Sequence, residues 1–242
     1  QTGAGDGTAV ANVETWNGSS WTETTDINSG RYLGASGGTS TSTLIFGGYP
    51  AGGGAPGYSD KTESWNGSAW TEVNDLNLGR GYFGGAGASN ALALGFGGDV
   101  PGTPARAQTE SWNGSSWTEV NDLNTARYGP HYGGIGTYID TLCVGGYTEQ
   151  AVVEQWNGSS WTEVADIATG RENLSAAGSN TNGAIMAGGS TSTTAQLATA
   201  QEWNNAIAVG AWSTGTAVNT GRSDGAGAGT STSSLFFSGA PY

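Results

Sequence analysis

The chain has 242 residues and carries twenty Asp and Glu against seven Lys and Arg, a formal net charge of −13. That balance argues against nucleic acid as a partner and disfavours an anionic membrane surface, because both select clustered cations. Glycine reaches 44 residues, yet ten tryptophans and 36% hydrophobic residues are more apolar bulk than a disordered chain carries, while no apolar run approaches the roughly 18 residues of a membrane-inserted helix.

The first predicted element is a hairpin around Trp16 and Trp21, joined by Asn17-Gly18-Ser19-Ser20. Asn-Gly favours such a turn because glycine takes positive φ freely. A linker leads to Arg31, ten residues past Trp21. Next come a small-residue strand, Gly34 to Gly38, and an apolar strand, Leu44-Ile45-Phe46, which ends at Gly47-Gly48. The loop Tyr49 to Lys61 then brings in the next hairpin, Trp65 and Trp70. From there the order repeats. Further small-residue strands are Gly84 to Ala88 and Gly225 to Gly229, and the last apolar strand is Leu235-Phe236-Phe237.

The spacing is regular. Leading tryptophans Trp16, Trp65, Trp112, Trp156 and Trp203 stand 49, 47, 44 and 47 residues apart. Ten residues separate each second tryptophan (Trp21, Trp70, Trp117, Trp161, Trp212) from Arg31, Arg80, Arg127, Arg171 and Arg222. Glycine pairs follow at Gly47-Gly48, Gly97-Gly98, Gly145-Gly146 and Gly188-Gly189, with Ser238-Gly239 as a degenerate fifth. The segment from the second glycine to the next tryptophan alone varies strongly, at 17, 14, 10 and 14 residues.

Four short strands in a period of about 40 to 50 residues are the signature of a β-propeller blade. The chain opens on a tryptophan hairpin and closes on an apolar strand. Through the joined ends, 19 residues separate Gly239 from Trp16, close to the longest internal loop. The expectation is therefore an all-β, five-bladed β-propeller of one domain, 1–242, with four antiparallel strands per blade. Its blades span about 31–74, 80–121, 127–165, 171–216, and 222–242 plus 10–25. Velcro closure joins the N-terminal hairpin, as outer strands, to the C-terminal inner strands. Glycine and alanine suit the crowded axis.

The succession of apolar run, Gly-Gly, variable loop, tryptophan hairpin and a linker such as Asp75-Leu76-Asn77-Leu78-Gly79-Arg80 resembles the kelch repeat. It departs from that family in using Trp where the first hairpin strand often carries Tyr. The near-duplicate strings Glu-Ser-Trp-Asn-Gly-Ser-Ser-Trp-Thr-Glu-Val also resemble kelch-like repeats of virion and tail-associated proteins of tailed, particularly marine, bacteriophages. The resemblance implies a virion or extracellular location and a role in host recognition. A host-surface glycan or protein, or other virion proteins, would be the partners. A secreted bacterial lectin or adhesin is the close alternative, and a glycan-active enzyme the alternative from another class. An opening on Gln1 rather than Met is what removal of an upstream segment would leave.

Motifs for chemistry are sparse. All ten tryptophans fall on the two repeat positions, as packing requires, so sugar stacking is the weaker reading for them. Asn17, Asn66, Asn113, Asn157 and Asn173 head N-glycosylation triplets, but a turn that needs Asn-Gly accounts for the first four. Glu72, Glu119 and Glu163 with Asp75, Asp122 and Asp166 repeat around the ring, whereas paired glycosidase carboxylates must converge. The single cysteine, Cys143, and single histidine, His131, exclude an intrachain disulfide and metal sites built on either residue, including the copper chemistry of kelch-containing oxidases. The expectation is a non-enzymatic chain with no catalytic, metal or cofactor site.

Ligand binding is expected on one face. Because strands alternate in direction, the variable loops share a face with the linkers that end in arginine. Arg31, Arg80, Arg127, Arg171 and Arg222 form a ring there. They either lock neighbouring blades or hold an anionic ligand through forked hydrogen bonds. Tyr32, Tyr82 and Tyr128, beside them, would add aromatic contacts. The loops Tyr49 to Lys61, Asp99 to Ala107, Tyr147 to Val152 and Ser190 to Ala200 would set specificity.

Overall fold

A computed structural model describes residues 9–51, 57–102, 105–130, 135–148, 150–191, 195–205 and 211–237. Four antiparallel meanders follow one another along the chain. The first sheet runs Ala35–Thr39, Ser42–Phe46, Thr62–Trp65 and Trp70–Val73. The second comprises Gly84–Ser89, Leu92–Phe96, Thr109–Trp112 and Trp117–Val120. The third comprises Gly136–Thr137, Asp140–Val144, Val153–Trp156 and Trp161–Val164. The fourth comprises Ser175–Asn180, Gly183–Ala187, Ala200–Asn204 and Ala211–Gly215. No helix occurs among the described residues.

Two hairpins stand at the ends, Val13–Trp16 with Trp21–Thr24 and Ala226–Thr230 with Ser233–Phe237. Each is a separate two-stranded sheet. Trp21 meets Phe237 edge-on, with ring centroids 5.3 Å apart, but no ladder joins the hairpins among the described residues. The fold is an antiparallel β-propeller, with four complete sheets and a terminal hairpin on either flank among the described residues. The expected Ser238-Gly239 step and His131 lie outside the described residues.

Successive inner strands pass so closely that side chains have no room. A Cβ on Gly37 would come within 2.9 Å of Gly87 N, and one on Gly227 within 2.6 Å of the Ala176 carbonyl. Real Cβ contacts do not tolerate such approaches, which accounts for the Gly/Ala composition of these strands.

The core lies between sheets. Leu44, Phe46, Phe83, Trp112 and Trp117 fill the first gap. Leu94, Phe96, Cys143, Trp156 and Trp161 fill the second, and Leu142, Val144, Met186 and Trp203 the third. The tryptophans oppose one another in the ladder, as Trp112↔Trp117 does with centroids 5.5 Å apart, yet the two do different work. The leading indole donates within its own sheet, Trp112 Nε1 to Asn90 O at 2.9 Å and Trp203 Nε1 to Thr181 O at 2.8 Å. The second seals its sheet to the preceding one. Trp117 Nε1 donates to Thr62 Oγ1 at 3.0 Å while its ring lies 4.7 Å from Phe46; Trp161 repeats this with Thr109 and Phe96.

Candidate functional site

The linker arginines turn inward. Arg31 Nη2 donates to Glu63 Oε1 at 2.6 Å, and its Nη1 donates to the carbonyls of Lys61 at 2.7 Å and Gly47 at 3.3 Å. Glu63 Oε2 accepts the backbone N–H of Asn28 at 2.7 Å and its side-chain amide at 2.8 Å. Asn28 belongs to the linker leaving the preceding hairpin, so one carboxylate holds both the linker and the arginine. Arg80, Glu110 and Asn77 repeat the arrangement, as do Arg127, Glu154 and Asn124. Both members of each ion pair are at most 1% exposed.

Burial pushes the Arg31 and Arg80 guanidinium pKa down, and Glu63 and Glu110 pull it back up. In the fourth sheet Gln201 stands at the glutamate position and Ala168 at the asparagine position. Arg171 there donates to the carbonyls of Gly188 at 2.9 Å and Thr199 at 3.3 Å. With burial uncompensated, its pKa falls to about 10.

Two residues past each arginine the backbone becomes left-handed. Leu33, Tyr82, Gly129, Asn173 and Asp224 have φ of 59°, 52°, 61°, 54° and 56°. Tyr82 N–H donates to Leu33 O at 3.1 Å, Gly129 N–H to Tyr82 O at 2.7 Å, Asn173 N–H to Gly129 O at 3.2 Å, and Asp224 N–H to Asn173 O at 3.0 Å. Inner strands begin just beyond these residues, so the hydrogen-bonded run rims the axial mouth.

Among the described residues six tyrosines form an arc on this face. Centroids lie 5.2 Å apart for Tyr32–Tyr49, 5.7 Å for Tyr49–Tyr58, 6.3 Å for Tyr58–Tyr82 and 6.1 Å for Tyr82–Tyr128. Tyr128 then stacks on Tyr147 at 4.4 Å. Local backbone builds the arc: Tyr32 pairs with Tyr49 in a short ladder, and Tyr147 N–H donates to Tyr128 O at 2.7 Å. In the second sheet Gly81 takes the place of Tyr32, and the Tyr58 ring fills the space, 2.5 Å from where a Cβ would stand.

Tyr58 Oη donates to Asp99 Oδ2 at 2.7 Å. Burial and this carboxylate push the Tyr58 phenol up, and burial with the Tyr147 hydroxyl does the same to Tyr128. Both phenols therefore stay protonated near neutral pH. Past Tyr128 the rim becomes polar: Glu172 and Ser223 take the Tyr128 position in the next two repeats, and Ser190 takes that of Tyr147.

No protein-family model and no curated relative matches this sequence. Among solved structures, YjhT superposes with a TM-score of 0.75 over 93% of this chain and 82% of its own, at 14% sequence identity. The shared fold is the β-propeller. At that identity the similarity with YjhT extends to the fold alone.

Of the residues singled out in the sequence, Tyr32, Tyr82 and Tyr128 lie together in the arc. Arg31, Arg80, Arg127 and Arg171 lie behind it, buried, and the groups that their forks meet lie within the fold. For these four the fork partners belong to the arginine's own blade, so the side chains neither clasp a neighbouring blade nor reach an anionic ligand at the mouth. The arginine's link to the preceding blade runs through its backbone, as where Gly48 N–H donates to Arg80 O at 2.8 Å. Arg222 is half-buried, and its carbonyl accepts Gly189 N–H at 2.9 Å. Asp75 is held by Lys61 Nζ at 2.7 Å, and Asp122 accepts Thr109 N–H at 3.2 Å. Among the described residues no three His, Cys, Asp or Glu converge as metal ligands.

Sequence reasoning missed Glu63, Glu110 and Glu154 as the arginine partners, although each stands two residues before a leading tryptophan. It also missed Tyr49, Tyr58 and Tyr147, which lie in or beside the loops assigned to specificity.

Proposed function

We propose that this chain is a kelch-like, five-bladed β-propeller that works as a non-enzymatic recognition module. It sits on a virion surface or otherwise outside the cell and holds a host-surface glycan or protein on its variable-loop face. The tyrosine arc carries this reading. Rigid aromatics with hydroxyl tips give large contact area at small entropic cost, and they occupy the face where the repeats differ. Five sequence repeats support the fifth blade, and so do the hairpin contacts. Trp70 Nε1 donates to Thr25 O of the N-terminal hairpin at 3.1 Å, while Gly227 of the C-terminal hairpin lies against Ala176 of the fourth sheet.

The test is an array of oligosaccharides and host-surface proteins, followed by calorimetry on the strongest binder. Tyr49→Ala and Tyr147→Ala are expected to weaken binding roughly tenfold or more, about 1.4 kcal/mol, with melting little changed. Product formation from an oligosaccharide, or unchanged binding in both variants, would overturn it.

A further inference from the structure

We propose that the residue two positions past each linker arginine is a specificity position, and that Leu33, Tyr82, Asn173 and Asp224 form a socket at the axial mouth for one neutral sugar residue. The inference rests on the recognition reading and names its ligand class and contacts.

Backbone strain is the first argument. All five equivalent positions are left-handed, and glycine meets that demand at Gly129. A side chain in this region costs on the order of 1 kcal/mol, and bulky residues such as Leu and Tyr are rare there. Leu33 and Tyr82 nevertheless occupy it, while Asn173 and Asp224 are of the two types that tolerate it best. The constant arginine lies two residues upstream, whereas this position reads Leu, Tyr, Gly, Asn, Asp in chain order. Framework positions repeat, and this one does not.

Placement and chemistry supply the rest. The run of backbone hydrogen bonds gathers these residues around the axis. Asp224 is near enough to Tyr82 to help burial raise the phenol pKa. Asn173 Oδ1 lies over Gly129, 3.1 Å from where a Cβ would stand, and Ser223 Oγ donates to Asp224 Oδ2 at 2.9 Å. Leu33 and Tyr82 offer an apolar wall to the C–H face of a pyranose. Asn173 supplies a donor and an acceptor, and Asp224 supplies acceptors for hydroxyl protons. Arg31, Arg80, Arg127 and Arg171 are turned into the fold, so four of the five linker guanidinium groups are withdrawn from the mouth where a carboxylated or sulfated sugar would need them.

The experiment uses the full chain with methyl glycosides of glucose, galactose, mannose and N-acetylglucosamine, and with sialic acid and galactose 6-sulfate as anionic probes. Saturation-transfer NMR and calorimetry read binding. Leu33→Gly, Asn173→Gly and Asp224→Gly relax the backbone, so melting should stay within about 4 °C of the parent while affinity for the bound neutral glycoside falls tenfold or more. Neutral-glycoside binding that survives all three substitutions overturns the socket and leaves the recognition reading standing. Preference for the anionic probes overturns the ligand class. Binding of no glycoside, with a protein captured through the tyrosines, also overturns the socket; tyrosine variants without effect on any partner overturn the recognition reading itself.

Discussion

Arg31 and Tyr32 are consecutive, as are Arg127 and Tyr128, and within each pair the two side chains have opposite fates. The guanidinium goes inward, is at most 1% exposed and meets a glutamate. The phenol goes outward into an arc that continues across three sheets. A charged residue beside the axial mouth is thus framework, and its aromatic neighbour is surface. The difference follows from desolvation. A guanidinium can be buried where a carboxylate and carbonyls saturate its donors, and the repeat supplies both at fixed spacing.

Breaking the framework side should have the largest effect. Glu110→Ala leaves Arg80 buried without its carboxylate, so denaturant unfolding should show a loss of about 3–5 kcal/mol. A loss below 1 kcal/mol would mean that water replaces the glutamate and that the lock is dispensable.

The fourth sheet offers the reverse change. Gln201→Glu would give Arg171 the carboxylate that its counterparts have, and should stabilise the chain by about 1.5–3 kcal/mol while raising the Arg171 pKa from about 10. A lower melting temperature would show that the site has adapted to the amide.

The ends sharpen the contrast further. Trp16 and Trp21 are 42% and 43% exposed, whereas Trp112 and Trp117 are at 1% and 5%. Glu14 stands two residues before Trp16, as Glu63 does before Trp65, and a completed fifth blade would pair it with Arg222 and add a link from Leu33 N–H to Asp224 O. A double-mutant cycle of Glu14→Gln with Arg222→Met should then return a coupling of about 1 kcal/mol. Strict additivity would argue that the two hairpins do not share a sheet.

The propeller and its sheets were legible because turn chemistry, alternating small and apolar strands and a constant spacing all repeat. The lock was half legible. Arginine stood out, but Glu63 was hidden inside a string read only as a hairpin. The left-handed rim was invisible, because Leu33, Tyr82, Asn173 and Asp224 share a backbone conformation and no side-chain type. Tyr58 was equally hidden, since its place depends on Gly81 leaving a gap in the next sheet. Repetition makes a framework readable, and the tyrosine arc and the left-handed rim lie where repetition stops.

Fluorine NMR of chain labelled with 3-fluorotyrosine, and separately with 5-fluorotryptophan, probes that division most directly. Titrated with the strongest binder from the array, the account predicts shifts in the resonances of Tyr32, Tyr49, Tyr58, Tyr82, Tyr128 and Tyr147, with the buried tryptophans unmoved. Shifts confined to the tryptophans, with the tyrosines still, would contradict it.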